Sequence, residues 1–287
     1  MKKIISFIIT IVCATSICAV GQDADSIKTK PIRPVISSYM VDLGKASVLD
    51  TYLSPIKYHG VNLRLGYERL QAMRFNPEKW IMQLDASLNY MPVKNPAGNH
   101  NIYSLLTEFK WGMMHKWAIK PKLNLMFGGS TQFKGGVLYS PGNSNNVVSV
   151  KIRWCVNITG MAVYNIKLWK LPLTLRYQAT LPVFSVFFSP DYGESFYEIY
   201  VGNRSGLVNF GWWGNRFDME NLFTTDIHLG NTVLRMGYRN TVNSSWIMKL
   251  NTQIYTNSFV LGLGGEWMSL RSNKSLNSTA KVISAMY

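Results

Sequence analysis

The chain has 287 residues, with 30 Lys and Arg against 15 Asp and Glu, and a formal net charge of +15 at pH 7. Strong positive charge is one mark of nucleic-acid binding, but an exported chain rarely meets nucleic acid, so anionic lipid phosphates are the expected counter-charge. Three cysteines are present. Two of them, Cys13 and Cys18, lie in the first 21 residues, which are predicted to be a cleaved signal peptide. Cys155 is then the single cysteine of the mature chain, and an intrachain disulfide is excluded.

Residues 1–21 are predicted to be a cleaved signal peptide. Lys2 and Lys3 precede an apolar run, and small residues precede Gln22. No later stretch reaches the roughly 20 apolar residues that a spanning helix needs. A mature chain embedded in a membrane must therefore be a closed β-barrel, because lipid cannot satisfy the backbone polar groups of an open sheet.

Residues 22–57 are predicted to be an N-terminal lead-in, either periplasmic or partly in the barrel. Residues 22–34 are polar and include two prolines, whereas residues 36–49 are strand-like without clean alternation. Residues 58–287 are predicted to form a transmembrane β-barrel.

A strict two-residue alternation from residue 61 onward carries this prediction. One apolar face and one charged face are typical of a spanning strand with lipid outside and a polar lumen inside. In the first such run the apolar face carries Val61, Leu63, Leu65 and Tyr67, and the polar face carries Asn62, Arg64, Gly66 and Glu68.

The pattern predicts an all-β fold: a transmembrane antiparallel β-barrel of about 12 strands. Eleven runs follow residue 58, including one at residues 246–254 and a short one at residues 207–213, and residues 282–287 make the twelfth. Single-chain bacterial barrels have even strand numbers. Residues 36–49 are the segment that would change the count.

Charged residues of both signs fall on the predicted inner faces. One interpretation is a salt-bridge network that fills the barrel, and the other is a water-filled, charge-selective, porin-like pathway. A bore of about twelve strands is narrow, which favours filling. The predicted lumen-facing residues are Glu68, Asp85, Glu108, Lys110, Lys151, Arg153, Arg176, Asp226, His228, Arg235, Arg239, Lys249 and Glu266.

Catalytic and cofactor signals are weak. Asp226 and His228 share a face and could belong to a catalytic base, but a satisfied lumenal pair is the simpler interpretation. The chain is similar in size to outer-membrane phospholipase A, yet it lacks the His-x-Ser motif of that family. With one mature cysteine and four scattered histidines, no metal site is predicted, and no cofactor is expected.

Two segments carry a family resemblance. They are LDTYLSP at residues 49–55 and FFSPDYGESFYEIY at residues 187–200. Together with the arrangement of the final strands, they resemble an uncharacterised outer-membrane β-barrel family of Bacteroidota, a domain of unknown function. The resemblance implies a compartment and a barrel but no site residues. Residues 187–200 are predicted to form a long aromatic and acidic loop, either a binding surface or a plug.

The sequence thus predicts an integral protein of a Gram-negative outer membrane, without enzymatic activity. Its role would be structural, or passage of small solutes or lipids through a narrow polar lumen. The alternative is a lipid-modifying enzyme, of phospholipase or lipid A deacylase type, with an unrecognised active site. Expected partners are outer-membrane lipids and lipopolysaccharide, the assembly machinery and an unknown envelope protein, and not nucleic acid.

Overall fold

The computed structural model describes residues 31–144, 146–169, 171–191, 193–202, 206–230, 232–267 and 281–286; the predicted signal peptide lies outside them. These residues form eleven strands and one short helix, α1 (Phe196–Val201). The strands are β1 (Val35–Asp50), β2 (Ser54–Ala72), β3 (Trp80–Lys94), β4 (Asn101–Lys120), β5 (Leu123–Tyr139), β6 (Val148–Leu168), β7 (Leu171–Phe188), β8 (Val208–Gly211), β9 (Arg216–Leu229), β10 (Thr232–Ile247) and β11 (Leu250–Trp267).

No helix in the described part of the chain is long and apolar enough to cross a membrane.

Ten of these strands close into a ring of antiparallel neighbours. Each strand from β1 to β7 pairs with the next, β7 pairs with β9, β9 with β10, and β10 with β11. Strand β11 returns to β1, from Val35 opposite Trp267 to Asp50 opposite Thr252. Strand β8 pairs with the last residues of β7 and stands outside the ring. The predicted all-β antiparallel barrel is confirmed, with ten strands in place of about twelve.

The strand count differs for identifiable reasons. The ambiguous residues 36–49 lie in β1, a full member of the barrel. The predicted strand at residues 246–254 spans a two-residue turn, so its residues divide between β10 and β11. The predicted last strand at residues 282–287 is wrong for the described residues 282–286, since Val282 makes only an isolated parallel bridge to Ile32.

The β10–β11 turn explains one of these errors. Met248 and Lys249 have φ angles of 47° and 64°, and Ile247 pairs with Leu250 across them. Two successive positive φ angles are the geometry of a type I′ hairpin turn, which favours Asn-Gly. Because Met-Lys is not such a pair, the sequence carries no turn signal here. Asn243 to Ser245 are residue types common in turns, yet they lie within β10 and pair with β11.

The two ends of the barrel differ in their connections. The terminal end is where β1 begins and β11 stops, and the loop end is the opposite one. The loop end carries the connection between β7 and β9, at residues 189–215, which includes α1 and β8. Tyr52 holds this connection against the barrel. Its hydroxyl donates to the carbonyl oxygen of Glu194 at 2.9 Å, and its ring contacts that of Phe196 with 5.8 Å between centroids.

The barrel wall presents apolar side chains outward. Along β1 and β2 the exposed side chains are Tyr39, Val41, Leu43, Val61 and Leu65; of the four buried side chains between them, three are polar and one is apolar: Asp42, Asn62, Arg64 and Met40. A water-soluble barrel has the reverse arrangement, with its apolar residues in the core. An exposed apolar surface of this extent is what a membrane-embedded barrel needs.

Aromatic side chains mark both ends of this apolar surface. They belong to strand termini, where the rings of membrane barrels form interfacial girdles. At the terminal end they are Trp80, Trp117, Tyr164 and Trp267, and at the loop end they are Tyr90, Tyr103, Tyr139 and Trp246.

Candidate functional site in the barrel lumen

The structure brings most of the predicted lumen residues together. Glu108 and Lys151 are partly buried, and His228 is half-buried near the terminal end of β9. Glu266 pairs with buried Ile36 and so follows the inner register, but it is exposed at the end of β11. The fully buried members are Glu68, Asp85, Lys110, Arg153, Arg176, Asp226, Arg235 and Arg239.

One predicted lumen residue is wrong. Lys249 is exposed in the β10–β11 turn with a positive φ and does not face the lumen. The prediction assumed one strand through residues 246–254, and the turn breaks that alternation.

Glu68 is the centre of the first charge group. Arg176 donates to its two carboxylate oxygens at 2.7 and 2.5 Å, Arg235 donates at 2.6 Å, and Gln83 donates at 2.8 Å. Arg235 also donates one hydrogen bond to each carboxylate oxygen of Asp226, at 2.7 and 2.8 Å. Strand β2 is not a neighbour of β7 or β10, so the bonds from Arg176 and Arg235 to Glu68 cross the lumen. Two carboxylates and two guanidinium groups compensate each other there.

A second group lies nearer the middle of the lumen. Asp42 accepts from Arg239 at 2.7 Å and from Arg64 at 3.3 Å. Arg239 also donates to Glu220 at 2.6 Å. Lys110 lies 3.3 Å from Asp85 and 3.8 Å from Glu220. This group links strands from opposite sides of the barrel, as the first one does.

The third group lies towards the loop end. Asp218 accepts from both Arg153 and Arg216, the latter at 2.8 Å. Lys134 lies 3.0 Å from Glu108. Close to the rim, Lys151 lies 2.8 Å from Asp50.

Several charged members of these groups were absent from the predicted set. Asp218 and Glu220 follow from the register of β9, because they share the inner face with Asp226. In the sequence the alternation of β9 is clear only from Phe223 onward, so its first residues, from Arg216, give no strand signal. The unpredicted members are Asp42, Asp50, Arg64, Lys134, Arg216, Asp218 and Glu220.

The His228 imidazole is held in place by a neighbouring strand. Its Nε2 lies 2.9 Å from the Thr174 hydroxyl, which in turn donates to Asn165 at 2.8 Å. Both oxygens of Asp226 are engaged by Arg235. Across the described residues no three His, Cys, Asp or Glu side chains gather as metal ligands do.

Apolar side chains cluster in the lumen towards each end. At the terminal end, buried inner residues pack with Ala285 and Met286 of the C-terminal tail; they are Ile36, Leu70, Ile81, Met114, Met126, Met161 and Val163. At the loop end, Phe196 of α1 packs on a second cluster: Ala46, Val48, Tyr52, Leu53, Tyr58, Met91, Val93, Ile102, Leu138, Leu250 and Ile254. Apart from the Lys151–Asp50 pair at the rim, the charged groups therefore lie between two apolar clusters.

The family model described as "Protein of unknown function (DUF3316)" matches residues 5–274. The chain belongs to this family. This confirms the predicted membership of a family of unknown function. No curated protein matches the chain.

Solved structures of similar fold are distant in sequence. The outer membrane protease OmpT from Escherichia coli is 8% identical, with 85% of this chain and 99% of that chain covered, at a TM-score of 0.43. The transport unit of the autotransporter AIDA-I from Escherichia coli is 10% identical, with 92% and 98% covered, at 0.41. The beta domain of the Bordetella autotransporter BrkA is 8% identical, with 82% and 100% covered, at 0.36.

Proposed function

We propose that this DUF3316 protein is an integral outer-membrane barrel with a sealed lumen, which acts as a structural anchor for its loop-end surface. The outward apolar face and the two aromatic girdles support insertion in a bilayer. Outer-membrane lipids, lipopolysaccharide and the barrel-assembly machinery are the partners that such a protein would meet.

One observation carries the proposal of a sealed lumen. Twelve ion-pair contacts join eight carboxylates to nine basic side chains inside the described part of the barrel. Ions in transit would have to displace these pairs and pass the apolar cluster at each end. Moving a charge through an apolar layer without a partner is costly. The arrangement therefore favours a filled barrel over a channel.

Two measurements test the proposal. The full chain should fractionate with the outer membrane and show heat-modifiable mobility on a gel. The purified protein in a planar bilayer should give no steady current. Recovery in the soluble periplasm would contradict membrane insertion, and a stable anion-selective current would contradict the sealed lumen.

A further inference from the structure

The barrel wall is split between β7 and β9 towards the loop end. Strand β7 pairs with β9 only from Leu173 to Thr180, and with β8 only from Ser185 to Phe188. Between these two ranges, residues 181–184 of β7 have no strand partner on the side of β8 and β9. The structure describes all of residues 206–230, which include β8 and β9. Residues 216–219 of β9 pair with β10 alone, whereas residues 220–227 pair with both β10 and β7. The two edges of the wall separate at this level.

Pro182 and a bulge account for the split. A proline has no backbone N–H to donate to a neighbouring strand. On the β6 side the register moves from Asn157 opposite Pro182 to Val156 opposite Phe184, which leaves Val183 as an extra residue. A bulge of this kind bends and twists its strand and often ends a pairing. Strand β7 therefore turns away from β9 after Thr180.

An indole ring covers the split. The Trp213 Nε1 donates to the carbonyl oxygen of Pro182. Trp213 keeps 60% of its surface exposed, and Phe210, Trp212 and Phe217 are exposed beside it. The cover is a side chain held by one hydrogen bond, so it can be displaced at much lower cost than a strand pairing.

Two cavities lie behind the split. One, of about 70 Å³, touches both edges of the wall, through Thr180 and Pro182 of β7 and through Asp218 and Met219 of β9. The second, of about 60 Å³, is lined by Lys134, Lys151, Arg153, Arg216 and the end of β7. Lys134 and Asn243 line both cavities, so the two are adjacent. Each volume exceeds the space of a single water molecule.

The charge balance at the second cavity is incomplete. Arg153 and Arg216 share the single carboxylate of Asp218. Arg153 is 4% exposed, and its Nε and Nη2 have no hydrogen-bond partner within the described structure. Unused donors on a buried cation are costly. A ligand with several anionic oxygen atoms would use both donors, as phosphates do with arginine.

We infer that this DUF3316 barrel binds a phosphate-bearing membrane lipid at the split, with the phosphate at Arg153 and the acyl chains leaving between β7 and β9. Arg153 Nε and Nη2 donate to the phosphate oxygens, and Lys134, Lys151 and Arg216 add positive charge. The chains pass where Trp213 covers the wall and meet the exposed aromatic residues outside. This site goes beyond the anchor role, and it is compatible with a lumen sealed to ions because entry is sideways.

The test is a binding titration of the full chain in a zwitterionic detergent. Short-chain phosphatidic acid is the lipid probe, and inorganic phosphate is the probe for a free anion. We expect saturable binding of phosphatidic acid and at least about tenfold weaker binding of inorganic phosphate, because the acyl chains add buried apolar area. Equal affinity for both probes would replace the lipid with a free anion, and no binding of either would overturn the site.

Variants assign the binding to Arg153. Arg153→Gln should weaken phosphatidic acid binding about tenfold or more, since charged hydrogen bonds are lost. Arg153→Lys keeps an ion pair with Asp218 but drops the two unused donors, and it should also weaken binding. Heat-modifiable mobility checks that both variants fold. Arg74→Gln, an exposed arginine in the β2–β3 loop at the other end, is the matched control and should bind as wild type does.

A second pair of variants tests the route. Trp213→Ala should speed the uptake and release of phosphatidic acid several-fold, because it uncovers the split. Trp246→Ala removes an equally exposed indole from the same end and should leave both rates unchanged. Unchanged rates for Trp213→Ala would overturn entry between β7 and β9.

Discussion

The charge groups around Glu68 and around Asp218 lie in one lumen and are built differently. Glu68 and Asp226 share two guanidinium groups, and of the polar nitrogen atoms of Arg176 and Arg235 only Arg176 Nε has no hydrogen-bond partner in the described structure. Within the described residues, Asp218 is the one carboxylate that pairs with both Arg153 and Arg216. Two of the three guanidinium nitrogen atoms of Arg153 have no hydrogen-bond partner in the described structure.

The two groups also differ in whether a cavity lies beside them and in whether β7 and β9 are paired at their level. Both cavities behind the split border the Asp218 group, and neither is lined by Glu68, Arg176 or Arg235. The Glu68 group sits where β7 and β9 are paired, and the Asp218 group sits where they are not. A compensated group filling the bore is a structural element, whereas an uncompensated one beside a gap is suited to a ligand. The structural role of the Glu68 group and the ligand-binding role of the Asp218 group therefore follow from their different positions along β7 and β9.

The largest expected effect would break the first half of this comparison. Glu68→Gln should lower the free energy of unfolding by about 3–5 kcal/mol, because it leaves Arg176 without a charged partner and weakens Arg235 in a buried site. Urea titration of the detergent-solubilised barrel measures it. Glu266→Gln makes the same chemical change at an exposed position and should cost under about 0.5 kcal/mol. Equal small losses would mean that the Glu68 group contributes no stability.

A second prediction sharpens the comparison by testing which face is the lumen. Leu84→Arg should destabilise the barrel by about 2–4 kcal/mol, because Leu84 alternates with buried Gln83 and Asp85 and so faces lipid. Ser87→Arg on the same strand should cost less, since Ser87 lines the polar cavity. The two variants are compared in one unfolding titration. A larger loss for Ser87→Arg would invert the assignment of the faces.

The smallest expected effect belongs to the loop end alone. Replacing Met248 with Asn and Lys249 with Gly should stabilise the barrel by about 1 kcal/mol, because both residues have positive φ. The measurement is the shift in the urea midpoint. Lys79→Gly, in a turn without positive φ, is the control and should give no gain. A loss of stability in the turn variant would contradict the strained-turn description.

The sequence was sufficient for the architecture because alternation depends on each strand alone. The lipid face and the lumen face of β2, β3 and β6 could be assigned from their own residues. The count failed where backbone geometry departs from its usual sequence signal, as at Met248 and Lys249. The start of β9 was missed because Arg216 to Leu222 do not present an uninterrupted apolar face.

The candidate site could be predicted only as a set of inward charges. Which arginine meets which carboxylate depends on the register between distant strands, such as β2 across the lumen from β7. The split was out of reach for the same reason. Pro182 is visible in the sequence, but its effect depends on the bulge at Val183 and on the register of β9, whose pairing with β7 stops at Thr180.

The unfolding free energies of Arg176→Gln and Arg153→Gln, measured side by side, test the contrast between the two groups most directly. The account predicts a loss of about 3–5 kcal/mol for Arg176→Gln, which leaves buried Glu68 short of a partner. It predicts about 1 kcal/mol or less for Arg153→Gln, because Asp218 keeps Arg216 and two crowded cations become one. Equal losses, or a larger loss at Arg153, would contradict the claim that one group is structural and the other is open to a ligand.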